Sequence, residues 1–260
     1  MELEQKDGIQ IASDLHLEML ENSTYLKNNP LIPKGKVLIL GGDIAPIHLC
    51  NQGKYSDFFS YCADHFEKTY WIAGNHEFYN GDMANYTGHF EERIRSNVYL
   101  VNNYIANFKT VEIVLSTLWT KISDRKSDHI RWSMNDYRAI RLAGKKLTIE
   151  DTNRLFDENI AFINGALANN IAGQRLVVTH HVPTFNNYPA VYAGSLLNEA
   201  FAVDLNTIIE NAKIDYWVFG HHHANVEAFC VGNTKLMTNQ LGYTWLKEHV
   251  GFDPGLVIGV

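Results

Sequence analysis

Val37-Leu38-Ile39-Leu40-Gly41-Gly42-Asp43 sets four apolar residues, two glycines and a carboxylate in succession. Four apolar residues without polar alternation suit a strand covered on both faces in an α/β sheet. The glycines let the backbone turn tightly where such a strand ends. An Asp at the carboxyl end of a buried strand stands where open α/β sheets bind their ligands. Taken alone, this Asp is more simply a turn former.

The pattern recurs on both sides of it. Gly8–Ser13 runs into Asp14-Leu15-His16, and Thr69–Ala73 into Gly74-Asn75-His76-Glu77. Arg175–Thr179 runs into His180-His181, and Asp215–Phe219 into Gly220-His221-His222-His223. Five strand-like runs thus end in Asp, Asn or His, the side chains that hold hard and borderline metal ions. If the strands lie side by side, all five ends converge on one edge of one sheet.

Composition narrows the class. Of 260 residues 46% are hydrophobic and 20% charged, which suits a soluble globular protein with a sizeable core. A net charge of -7 gives no basic footprint for nucleic acid or anionic membrane. No apolar run approaches the roughly 20 residues of a membrane helix, and the charged stretch Met1–Asp7 lacks the apolar core of a secretory signal. The expectation is a cytoplasmic protein. Cys50, Cys62 and Cys230 are too widely spaced for a zinc-type pair, so buried free thiols are expected.

Taken in order, the chain reads as alternating strands and helices. Helices are expected over 18–28, 55–67, 82–95, 148–171 and 204–211. Strands over 98–101, 105–108 and 111–115, with asparagines at the turns, suit an antiparallel meander. Residues 121–146 are polar, aromatic and weakly periodic, as in an inserted loop or small helical cap. Residues 182–195 are irregular. Residues 224–231 and 234–238 form a hairpin around Gly232-Asn233, and 256–260 a last strand. Without repeats or linkers, one domain over 1–260 is expected, with the insert at about 121–146.

Asp14 and His16 are two apart, and in an extended segment such residues point the same way. The same argument pairs His221 with His223 and turns His222 aside; the bland alternative for that triplet is a solvated polar run.

On these residues the sequence resembles the calcineurin-like metallophosphoesterases. The matching motifs are Asp14-Leu15-His16, Gly41-Gly42-Asp43, Gly74-Asn75-His76-Glu77, His180 with Pro183, and Gly220-His221-His222-His223, in the family's order. Thr117-Leu118-Trp119 and Asn135-Asp136-Tyr137-Arg138 look like a bacterial subgroup of undefined substrate. The resemblance implies a four-layer α/β sandwich of two packed mixed sheets flanked by helices. It also implies a dinuclear centre: Asp14, His16 and His223 on one ion, Asn75, His180 and His221 on the other, Asp43 bridging, and His76 facing the substrate. His180 rather than His181 is taken as ligand because relatives with a doubled His use the first. Asn239-Gln240-Leu241-Gly242-Tyr243 departs from the Asn-Pro-Arg-Gly-Tyr of that subgroup and removes a phosphate-binding arginine.

The chemistry agrees with the resemblance. Two ions roughly 3.5–4 Å apart clamp the attacking and leaving oxygens of an in-line displacement at phosphorus, with a bridging hydroxide as nucleophile. Mixed oxygen and nitrogen ligands without thiolate suit divalent or trivalent Mn, Fe or Zn. His76 is the candidate acid or charge-stabilising group. Arg138 and Arg141 are candidate phosphate contacts, though arginines on a polar insert are more simply solvated; Phe78, Tyr79, Tyr188, Tyr192 and Tyr243 are candidate pocket walls, though such residues more simply pack loops. The function expected is phosphomonoester or phosphodiester hydrolysis, on a small phosphorylated substrate rather than a polynucleotide. The alternatives are a silent binding or scaffold protein on the same fold and a metallo-hydrolase acting on another bond.

Overall fold

A computed structural model of the chain describes residues 6–259. Val260, placed by the sequence reading at the end of the last strand, lies outside the described residues. The strands in chain order are β1 (Lys6–Ala12), β2 (Gly35–Gly41), β3 (Lys68–Ile72), β4 (Phe90–Arg95), β5 (Val98–Asn102), β6 (Tyr104–Phe108) and β7 (Val111–Ser116). They continue with β8 (Arg141–Leu142), β9 (Lys145–Lys146), β10 (Gln174–Thr179), β11 (Tyr216–Val218), β12 (Phe229–Val231), β13 (Thr234–Met237) and β14 (Val257–Gly259).

Two mixed six-stranded sheets result, ordered β14-β1-β2-β3-β5-β4 and β12-β13-β11-β10-β7-β6. Alternation along each strand explains how they stack. Ile9, Ile11, Val37, Ile39 and Ile72 of the first sheet meet Ile113, Leu115, Leu176, Val178 and Val218 of the second in one buried cluster. The alternate residues Leu38, Leu40 and Trp71 face helices outside the first sheet, and Val114, Val177 and Trp217 face helices outside the second. Strands buried on both faces therefore carry the unbroken apolar runs read in the sequence. The layers are helix, sheet, sheet, helix.

Three expectations need correction. Residues 82–95 are not a helix: 82–89 run through a turn and bends after a lone bridge from Asp82 to Arg141, and β4 pairs antiparallel with β5. Phe90 and Ile94 are four apart and mimic a helical stripe. The charged Glu91 and Arg93 instead alternate outward along an edge strand, where charge discourages pairing with another chain. The meander is also divided. β5 lies parallel to β3 in the first sheet, while β6 and β7 pair antiparallel in the second. Finally, the five strand ends do not share one sheet: β1, β2 and β3 belong to the first and β10 and β11 to the second.

Other elements follow the expected spans more closely. The helix Ile149–Leu167 opens with a capping box between Thr148 and Asp151. Its C-terminal carbonyls are taken up by Arg175 on β10, which is 1% exposed. That guanidinium donates to Ala166 O at 3.2 Å, Asn169 O at 2.8 Å and the Glu112 carboxylate at 2.7 Å. Residues 121–146 form the helices Asp124–Ser133 and Asp136–Ala139 and the pair β8–β9. Of the three free thiols Cys62 is buried, Cys50 half-buried and Cys230 exposed, so the expectation of buried thiols fails for Cys230. No helix among the described residues is long and apolar enough to cross a membrane.

Candidate metal centre

The five strand ends meet although they come from two sheets. Donor atoms cluster there within 4.8 Å of one another in two groups that share Asp43, namely Asp14, His16, Asp43 and His223, and Asp43, His180 and His221; His16, Glu18 and His76 form a third at the edge. Asn75 joins the second group, its Oδ1 lying 3.3 Å from His180 Nε2. All seven side chains named as ligands on sequence grounds are therefore in one place. Asp43 belongs to both groups: Oδ2 is 3.7 Å from His16 Nε2, and Oδ1 is 3.4 Å from His180 Nε2.

The local reason differs from the one read in the sequence. Asp14 and His16 are not in extended backbone. Asp14, His16, Asp43, His221 and His223 all have φ between 47° and 76°. Left-handed backbone is rare outside glycine, though Asp and His are among the residues that tolerate it. Clustered departures of this kind mark sites where surrounding structure over-determines the chain. Hydrogen bonds between strand ends do so here: across the sheets His221 N donates to Asp14 Oδ1 at 3.0 Å, and within the first sheet His76 N donates to Asp43 Oδ1 at 2.9 Å. Gly74 is required beside them, because a Cβ there would run into Asp43 Oδ1 and the His180 ring.

Surrounding acceptors fix which ring nitrogen faces inward. His16 Nδ1 donates to Glu18 at 3.1 Å, His223 Nδ1 to Glu248 at 2.8 Å, and His180 Nδ1 to the Gly41 carbonyl at 3.1 Å. Each Nε2 is left with a lone pair, the arrangement common among metal-binding histidines. His222 is turned aside as expected, its Nδ1 accepting from Gln240 Nε2 at 3.0 Å. His181 lies behind His180, its Nδ1 bonded to the Thr117 carbonyl at 3.2 Å, and it belongs to neither group.

The donor set fits cations. His16 Nε2 and His223 Nε2 face each other across 2.9 Å, and His180 Nε2 and His221 Nδ1 across 3.1 Å. Ligands about 2.0–2.1 Å from a common ion at angles near 90–110° lie roughly 2.9–3.4 Å apart. Asp14 Oδ2 and His221 Nε2 are buried with no hydrogen-bond partner among the described residues. Burial and the nearby Glu77 and Asp14 charges push the Asp43 carboxyl well up from its usual range. Burial and neighbouring histidines push His180 and His221 well down, which keeps them neutral. Neutral imidazoles beside carboxylates that lack counter-charge are what a metal centre requires.

Several residues support the donors in roles that the sequence did not assign. Glu77, 1% exposed, accepts from the backbone of Asp43, Ile44 and Gly74 and from Trp71 Nε1 at 2.6–2.9 Å. It splints the β2 and β3 loops together. Its place in the quoted Gly-Asn-His-Glu motif was the available signal. Glu18 Oε1 accepts from both His16 Nδ1 and His76 Nδ1, the latter at 2.9 Å. Burial opposes its ionisation, but the two imidazoles outweigh burial and hold its carboxyl down at about 2. Tyr79 stacks on His76 with ring centres 4.1 Å apart. Gln240 accepts from His223 N at 2.8 Å, and buried Leu241 stands where the subgroup motif carries arginine.

Among the candidate pocket walls, Tyr243 lies 4.8 Å from the His16 ring and 4.5 Å from the His223 ring and stacks on half-exposed Trp245. Phe78 is core, packed against Trp119. Tyr192 OH donates to the His222 carbonyl at 3.3 Å, and Tyr188 packs on the His222 ring. Arg138 and Arg141 are exposed and bond to backbone carbonyls of their own segment, at Trp132 and Gly144.

The family model for calcineurin-like phosphoesterases matches residues 9–225. The chain belongs to this family. It is 33% identical to the uncharacterized protein L509 of Acanthamoeba polyphaga mimivirus, over 97% of this chain and 96% of that one. Among solved structures it resembles the phosphopantetheinyl hydrolase of Mycobacterium tuberculosis, with a TM-score of 0.70 at 16% identity, covering 94% of this chain and 91% of that one. A likeness at that identity speaks to the fold. As a calcineurin-like phosphoesterase the protein is a metal-dependent hydrolase of phosphate esters.

Proposed function

We propose that this calcineurin-like phosphoesterase hydrolyses small phosphomonoesters or phosphodiesters in the cytoplasm at a centre of two Mn, Fe or Zn ions. The observation that carries the reading is Asp43, whose two carboxylate oxygens face different donor groups. One position would be held by Asp14, His16 and His223, the other by Asn75, His180 and His221, with Asp43 common to both. When bound, such a pair of ions polarises a phosphoryl oxygen and lowers the pKa of water to near neutrality.

The chain's own residues supply the rest. His76 is 8% exposed at the edge of the centre. With Nδ1–H held by Glu18, a protonated ring carries its second proton on Nε2 and can give it to the leaving oxygen; the neutral ring then retains the Glu18 hydrogen bond. Tyr79 packs flat against the ring face. The Tyr243–Trp245 stack offers a planar apolar wall beside the donor groups, which suits an aryl or nucleoside leaving group. The net charge of -7 disfavours a polynucleotide.

The test is chelation followed by reconstitution, with hydrolysis measured across phosphomonoesters, diesters, nucleotides, pyrophosphate, carboxylic esters and amides. Activity is expected to vanish on chelation, to return with Mn²⁺, and to be confined to phosphate esters. Activity on carboxylic esters or amides alone would overturn the reading. So would an active protein that retains fewer than one ion per chain.

A further inference from the structure

The amide of Asn75 has two different ends, and only its oxygen can bind a cation. Oδ1 lies 3.3 Å from His180 Nε2, while Nδ2 donates to Asp136 Oδ1 at 2.9 Å. A carboxylate accepts hydrogen bonds and cannot donate them. Asp136 therefore draws the NH2 group to itself and turns the carbonyl oxygen toward His180. The same Asp136 oxygen accepts the Tyr79 hydroxyl at 2.6 Å, and the Tyr79 ring is the one stacked on His76. Asp136 is 4% exposed and opens the short helix Asp136–Ala139, within residues 121–146.

We infer that Asp136 is a positioning residue for the Asn75 side of the metal centre, and that residues 121–146 complete that centre instead of merely covering it. The inference rests on the dinuclear reading above. Outer partners of metal ligands typically govern 10–100-fold in metal affinity. One carboxylate here also steadies the candidate acid through Tyr79, so a displaced Asp136 reaches both metal binding and proton transfer.

The test is a cycle on positions 75 and 136, read as Mn²⁺ titration of metal-free protein with elemental analysis of bound ions. Asp136→Asn introduces a group that both donates and accepts, so the Asn75 amide is free to turn over. One of the two binding events is expected to weaken about 10–100-fold and the other to hold. Asn75→Asp alone places two carboxylates in contact and is expected to bind still more weakly. Adding Asp136→Asn to Asn75→Asp restores an amide–carboxylate pair with the roles exchanged, and binding should strengthen. The same substitution thus weakens binding in one background and strengthens it in the other, a reversal that a purely structural role cannot produce.

Unchanged affinity in Asp136→Asn overturns the inference, as does further weakening of Asn75→Asp when Asp136→Asn is added. If Asp136→Asn does not fold alone, the comparison within the Asn75→Asp background still decides. Wild-type protein that binds fewer than two ions would instead remove the dinuclear reading itself.

Discussion

At the residue scale, His76 separates catalysis from assembly. Its backbone N–H is bonded to Asp43, but its ring belongs to Glu18 and Tyr79. His76→Ala should therefore keep both ions and lose roughly 10²–10⁴-fold in turnover. An alkyl leaving group needs the proton and should suffer most, whereas p-nitrophenolate should suffer least; equal losses would make His76 a charge stabiliser only. kcat/KM on two such esters, with metal content checked in the same samples, distinguishes these outcomes. A fully metallated variant with unchanged rates would remove His76 from the mechanism. The motifs made His76 and its neighbours legible because strand-end Asp, Asn and His are adjacent in sequence. Glu18 and Glu248 were not singled out and Asp136 was quoted in a motif without a role, since each acts through a side chain 25 to 61 positions away or in a contact that no spacing rule encodes.

At the element scale, β10 does two things. It leads directly into His180, and it carries Arg175, whose guanidinium joins β10 to β7 through Glu112 and closes the helix Ile149–Leu167 through Ala166 O. Helix C-terminal carbonyls and a mostly buried carboxylate lose their donor together in Arg175→Met. Breaking such a pair from one side costs about 3–5 kcal/mol. Urea unfolding should show that loss as a lower midpoint with an unchanged slope; a loss under about 1 kcal/mol would mean that water replaces the guanidinium. The two-sided strands were readable because burial on both faces leaves an unbroken apolar run. β4 was not. Its Phe90 and Ile94 fit a helical stripe, and only pairing with β5, invisible to a local pattern, selects period two over period 3.6. The left-handed residues at β-strand ends were equally hidden, since Asp and His carry no mark of it.

At the scale of the whole molecule, the donor residues are divided between two sheets that are joined chiefly by apolar packing. Ions held by both halves bind the native state and not the unfolded chain. At a hundredfold excess over Kd one such ion adds about 2.7 kcal/mol. For a domain of this size that is roughly 5–10 °C in Tm, so chelated protein should melt at least that far below metal-saturated protein. Thermal melts at several Mn²⁺ concentrations test this, and a concentration-independent Tm would show that the ions do not tie the sheets together. The layered architecture was legible as a class from alternating strands and helices. The partition of strands between sheets was not, because β5 and β6 are separated by a single residue yet part company.

That division has a consequence for how the protein is made. Asp14, His16, Asp43 and Asn75 leave the ribosome well before any of their partner histidines on the second sheet, and 105 positions separate Asn75 from His180. At about 5–20 residues per second this is a wait of roughly 5–20 s. Through that interval the nascent chain displays an incomplete set of donors, and its second sheet still lacks β10 to β13. Capture of the full pair of ions therefore belongs to the end of biogenesis, when the two halves close, and cannot template the first half as it emerges.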